Sequence, residues 1–269
     1  MALLATKPPA EKKSSSIPVL LIPPLLTPGI LCMTPLKWAL ERRGFRTISY
    51  NYPSYRVDIP DNATRLAQFL ADLDEPELDV VAFSMGNIIL RWAANHHEIP
   101  KLRRVVMIGP PNQGAFMADW LDDKFGVLFP LFFGKCARQL RRGDKGLAAR
   151  AGNLPEGTKI GIIAGGTRNE QGYNIIIPGD NDRTVAVSET ILQGFTDFVL
   201  VPQYHTTLTL RKRSINLACD FIETAQFRKR PAGAEANQSK PKNVPASNAG
   251  AASVNSQQNE PNLGSPNAT

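Results

Sequence analysis

Short apolar runs alternate with amphipathic stretches through the first half of the chain. Residues 17–22 (IPVLLI), 46–52 (RTISYNY), 78–83 (LDVVAF) and 104–108 (RVVMI) have the length and the β-branched or continuously apolar character of strands buried on both faces. Between them, residues 35–43 form an amphipathic segment stopped by Gly44, preceded by a loop over 23–34. Residues 61–73 follow as a helix behind an Asp61 cap, with Leu66, Phe69, Leu70 and Leu73 on one face. After Ser84, Ile88, Ile89 and Trp92 again recur at helical spacing. Strand and helix in strict succession predict an α/β fold, a mostly parallel central sheet with helices on both faces.

The second half departs from that rhythm. Residues 125–133 (FGVLFPLFF) are almost wholly apolar yet interrupted by Gly126 and Pro130, which spoils both a strand and a helix. The reading places 115–156 outside the sheet, as an excursion that includes a short apolar cap. Residues 159–164 (KIGIIA) and 198–201 return as strands, and a closing amphipathic helix spans about 211–227.

Composition changes this picture mainly at the ends. With 269 residues and 42% hydrophobic content the chain can bury one sizeable core. Residues 228–269 shift to Ala, Asn, Ser, Pro, Gln and Gly and cannot bury enough surface to offset their ordering entropy, so a disordered tail is expected. Residues 1–16 are short and polar without the apolar stretch of a secretory leader, and are expected to be a flexible head. One domain over 17–227 remains. Of the net charge of +7, five charges belong to head and tail, which argues against a nucleic-acid surface on the folded body. Arg138, Arg141 and Arg142 read as a solvated helix face. Three scattered cysteines, Cys32, Cys136 and Cys219, fit no zinc or redox spacing and point to a reducing, cytoplasmic setting. The sequence has no apolar run long enough for a membrane span, while peripheral membrane contact is compatible with it. Oligomeric state is not legible.

The candidate chemistry centres on Ala82-Phe83-Ser84-Met85-Gly86, a serine between small residues where strand turns into helix. A tight turn there lifts the hydroxyl above the sheet edge and aims backbone N–H groups of the helix start at it. A serine hydroxyl needs a base, and the chain has three histidines. His96 and His97 lie at the far end of the following helix, roughly 18 Å along its axis, and suit helix-end roles. His205 follows the strand 198–201 and ends on the same sheet edge as Ser84. For the group that orients the base, the turn-rich loop 178–185 offers Asp182 and Asp180. Asp182 is favoured because Val185 and Val187 can pack its loop onto the core, leaving Asp180 to bond local backbone.

Four stretches in order then resemble the α/β-hydrolase superfamily, in particular small bacterial lipases and esterases with an alanine in the elbow: residues 18–26 (PVLLIPPLL), 82–86, 109–114 (GPPNQG) and 182–205, with Asp182 and His205 twenty-three residues apart. The resemblance implies a serine hydrolase acting on an ester or lipid with an apolar acyl group, with Ser84 as nucleophile, His205 as base and Asp182 as orienting acid. It also implies an oxyanion hole from the N–H groups of Leu25 and Met85. The family's His-Gly pair after the first strand is Pro23-Pro24 here, which makes Leu25 the first residue able to donate. Phe125, Phe129, Phe132 and Phe133 are candidates to line or cover an acyl site. No cofactor or metal is implied. An acyltransferase with the same three residues, or a binding protein on a hydrolase scaffold, are the alternatives.

Overall fold

The computed structural model describes residues 17–25 and 29–227; the head at 1–16 and the tail at 228–269 lie outside the described residues. Six strands, β1 (Val19–Ile22), β2 (Thr47–Ser49), β3 (Glu77–Phe83), β4 (Lys101–Ile108), β5 (Lys159–Gly165) and β6 (Asp197–Val201), pair in the order β2-β1-β3-β4-β5-β6. Every pairing is parallel. The helices are α1 (Gly29–Arg42), α2 (Ile59–Asp72), α3 (Gly86–His96), α4 (Phe116–Phe125), α5 (Phe129–Phe133), α6 (Lys135–Gln139) and α7 (Lys212–Thr224).

Because successive strand residues point to opposite faces, the apolar runs feed two cores. Leu20, Ile22, Val80, Ala82, Val105 and Met107 pack with Leu66 and Leu70 of α2 and Ile88 and Ile89 of α3. Val19, Leu21, Val81, Phe83, Val106 and Ile108 pack on the other side with Leu36 and Leu40 of α1 and Phe221 and Ile222 of α7. Helices thus cover both faces, as the strand-helix alternation predicts. Burying each such Leu, Ile, Val or Phe contributes about 1.5–3 kcal/mol, so the sheet is a stiff platform for whatever stands on its C-terminal edge.

Local signals misplace three boundaries. The first helix begins at Gly29, not at residue 35, and Pro35 lies inside it. Met33, Leu36 and Leu40 are buried in the same core cluster on both sides of the proline, so packing holds the helix through a position that lacks an N–H. The second helix is capped by Asp58 instead of Asp61: the Asp58 side chain accepts from the Asp61 N–H at 2.9 Å, and Pro60 occupies the first turn. Strand β2, expected over 46–52, is three residues long at the sheet edge.

The excursion between β4 and β5 consists of short helical pieces, as Gly126, Pro130 and Gly134 dictate. Of its basic cluster, Arg138 and Arg142 are exposed as expected of a solvated face, while Arg141 is largely covered, and all three also make ion pairs. Arg138 and Arg141 both pair with buried Asp122, Arg141 and Arg142 reach Asp119, and Arg142 also lies over the Phe116 ring. These contacts tie α6 and the turn after it to α4. The reason is geometric: α4 and α6 fold back on each other, which turns arginines three and four residues apart towards carboxylates on the neighbouring helix.

Candidate active site

Three glycine- or turn-ended strands bring the site together. Ser84 continues β3 by one residue, its N–H donating to Ile108 O at 2.8 Å, and then turns with φ +52° into α3. A non-glycine residue in this left-handed region is strained by about 1–3 kcal/mol and persists only where its surroundings hold it. Gly86 permits the turn. A Cβ at that position would stand 2.7 Å from Pro23 O and 2.9 Å from Ile22 O, so the end of β1 presses directly on the first turn of α3.

His205 follows β6 and Asp182 precedes it on the loop after β5. The Ser84 hydroxyl donates to His205 Nε2 at 3.0 Å, and His205 Nδ1–H donates to Asp182 Oδ2 at 2.6 Å. The carboxylate can only accept, which puts the imidazole proton on Nδ1 and leaves Nε2 as the acceptor for the hydroxyl. The second carboxylate oxygen, Oδ1, accepts from the Thr184 and Val185 N–H groups at 3.0 and 2.8 Å, while the His205 N–H donates to Asp182 O at 2.9 Å. His205 and Asp182 are therefore joined through both side chain and backbone. All three residues are buried, Asp182 completely. The imidazole packs against Phe83, ring centroids 5.1 Å apart, and over Gly109, where a Cβ would approach Cε1 to 3.0 Å. Gly109 stands in a stretch the sequence singled out, but the room it leaves for the His205 imidazole is visible only in three dimensions.

The other candidates fall where their neighbours require. Val185 is buried as expected, Val187 only half so. Asp180 accepts from the Thr167 N–H and hydroxyl and from the Arg168 N–H, bonding the backbone just beyond β5 and not its own turn. His97 Nε2 meets the Thr64 hydroxyl at 3.1 Å, and His96 stacks on Trp92 with its Nδ1–H donating to Trp92 O. Both histidines serve the end of α3. Met85 is the residue preceding α3 and fully buried, and its N–H donates to no atom among the described residues. Pro23 O accepts the Tyr52 hydroxyl at 2.7 Å; after two prolines, Leu25 carries the first N–H beyond β1. The four phenylalanines divide: Phe129 is core, Phe133 packs against it, and Phe125 and Phe132 meet edge-on at an exposed position. Among the described residues no group of His, Cys, Asp and Glu could hold a metal ion, and no helix is long and apolar enough to cross a membrane.

A buried polar chain behind the site escaped sequence reasoning. Arg91 on α3 donates to Gly152 O and to Asn112 O and Oδ1, and burial without a carboxylate partner pulls its pKa down to about 10. Asn112 in turn donates to Thr190 O at 2.8 Å. Glu189 accepts from the N–H groups of Phe116, at the start of α4, and Ala186, in the Asp182 loop. Burial pushes its carboxyl above the usual range. The signal available was the polar series Asn87, Arg91 and Asn95, each four residues apart along a helix that is otherwise largely apolar. Glu189→Ala leaves the buried Ala186 N–H and the half-buried Phe116 N–H without an acceptor, and thermal unfolding should show a loss of about 2–4 kcal/mol.

Comparisons with known proteins agree with the architecture. A family model described as a domain of unknown function, DUF7379, matches residues 29–127, from α1 through Ser84 to the end of α4. No curated protein matches the chain. Among solved structures, the mature form of the Bacillus licheniformis lipase BlEst2 superposes with a TM-score of 0.60 at 18% identity over 78% of this chain and 91% of that one. A structure reported with carboxylesterases of the thaumarchaeon Nitrososphaera gargenis does so with 0.53 at 17% identity over 80% and 92%. A bromoperoxidase from Bacillus anthracis follows with 0.50 at 16% identity over 78% and 93%. With a six-stranded parallel sheet, helices on both faces and a serine elbow after its third strand, this chain has the α/β-hydrolase fold.

Proposed function

We propose that the protein is a serine hydrolase of carboxylic esters. The reading rests above all on the continuous chain of hydrogen bonds from the Ser84 hydroxyl through His205 to Asp182. Ser84 Oγ attacks the ester carbonyl carbon while its proton passes to His205 Nε2. Asp182 keeps the Nδ1 proton in place and stabilises the imidazolium that forms. The negative oxygen of the tetrahedral intermediate takes the N–H of Met85 and that of Leu25. Collapse expels the alcohol with the proton from Nε2, and water, activated by the same imidazole, releases the acid from Ser84. The chemistry requires no cofactor.

The fold is shared with proteins described as a lipase and a carboxylesterase, and also with one described as a bromoperoxidase, so the ester substrate rests on the triad geometry and not on the fold. The proposed acyl group is apolar, and exposed Phe125 and Phe132 on the excursion are the side chains proposed to meet it. A fluorophosphonate should label Ser84, located by peptide mass, and a p-nitrophenyl ester panel from acetate to palmitate should show turnover with a chain-length optimum. Added acceptor alcohols should leave free acid as the main product. Accumulation of new esters would instead mark acyl transfer, and a folded protein with neither labelling nor turnover would mark a binding scaffold.

A further inference from the structure

We propose that Asn87 is a positioning residue whose side-chain amide holds Ser84 in its strained conformation. The inference rests on Ser84 being the nucleophile. Asn87 is the second residue of α3 and has no solvent exposure. Its Nδ2 donates to Ala82 O at 3.1 Å and to Ser84 O at 2.9 Å. One amide thus pins the carbonyl one residue before the end of β3 and the carbonyl of the nucleophile itself, bracketing the peptide units through which the chain turns.

The other end of the same amide marks the expense of this arrangement. With both carbonyls on the nitrogen side, Asn87 Oδ1 is left buried with no hydrogen-bond partner. An unpaired buried amide oxygen costs about 1–3 kcal/mol, which an alanine on this apolar helix would avoid. Asparagine is also a weaker helix former than alanine. The two bonds from Nδ2 offset that cost only in part, so the amide brings little net stability. Ser84 O also accepts from the Asn87 backbone N–H at 3.1 Å, so what the amide adds is a second donor to that carbonyl and a tie from it to Ala82 O. Ser84 at φ +52° has a lower-strain alternative with φ below zero, and that relaxation would swing Oγ away from His205 Nε2. Asn87 closes that route by fixing the carbonyls on both sides of the turn.

The test compares wild type with Asn87→Ala, Asn87→Ser and Asn87→Cys. Each is measured for the second-order rate of fluorophosphonate labelling at Ser84, for kcat and KM on p-nitrophenyl butyrate, and for Tm. A displacement near 1 Å of a reacting atom can cost on the order of a hundredfold. Asn87→Ala should therefore lower the labelling rate and kcat together by about 10- to 100-fold, with KM within about twofold. The serine hydroxyl can donate back to the carbonyl three residues earlier, whereas a thiol of similar size is a weak donor, so Asn87→Ser should retain more reactivity than Asn87→Cys. The Ser/Cys comparison decides the matter even where Asn87→Ala does not fold. A folded Asn87→Ala protein that labels at the wild-type rate overturns the inference. So do equal rates for the Ser and Cys variants, or losses that follow Tm alone. Absence of labelling in wild type overturns the nucleophile itself, whereas wild-type labelling with indifferent variants overturns only the role of Asn87.

Discussion

Ser84→Ala, His205→Ala and the double variant should each lose ester turnover by a similar factor, on the order of ten-thousand- to a millionfold, because residues acting as one unit are not additive. The expectation follows from the bond lengths. With Oγ 3.0 Å from Nε2 there is one proton path, and removing either end closes it. Fluorophosphonate labelling should be abolished in Ser84→Ala and strongly slowed in His205→Ala. His96→Ala and His97→Ala should be nearly silent, since their rings are engaged with Trp92 and Thr64 at the far end of α3. Unimpaired turnover in a folded Ser84→Ala protein would dismiss the mechanism.

Asp182→Asn should lower kcat on the order of ten-thousandfold while preserving the fold. An amide at this position can present its NH2 to Nδ1, which stabilises the tautomer with its proton on Nε2 and takes away the acceptor that the Ser84 hydroxyl needs. Oδ1 would still accept from Thr184 and Val185, so the loop itself survives. Asp180→Asn should act in the opposite sense. Its carboxylate serves the backbone of Thr167 and Arg168, so a modest loss of Tm with nearly intact kcat is the expected outcome. Steady-state kinetics and thermal unfolding on the two variants decide between them. A larger kinetic loss in Asp180→Asn would transfer the role of acid to that residue.

The alternation of strands and helices, the strand-turn-helix around Ser84, the choice of His205 over the other two histidines and of Asp182 over Asp180 could all be read from the chain. Each depends on periodicity, turn chemistry or position along a strand, which are local properties. The passage of α1 through Pro35 was not legible, because long-range burial of Met33, Leu36 and Leu40 outweighed a local breaker. The arginines of the excursion were legible as an exposed face, but their ion pairs were not, because Asp119 and Asp122 come within reach only when α4 and α6 fold together. Partners that are distant in sequence leave no periodic trace.

The amino-acid sequence by itself determined the parallel α/β architecture and named Ser84, Asp182 and His205 as candidates, since strands with apolar runs must be buried and a serine elbow has a recognisable local form. Only the tertiary structure decided that Ser84 and His205, 121 residues apart, share a hydrogen bond. It alone showed Gly109 yielding room to the imidazole, Asn87 bracketing the elbow, and Arg91, Asn112 and Glu189 tying the acid loop to the rest. These are contacts between elements, fixed by how α3, the end of β4 and the loop after β5 pack over one sheet edge, and sequence spacing carries no record of that packing.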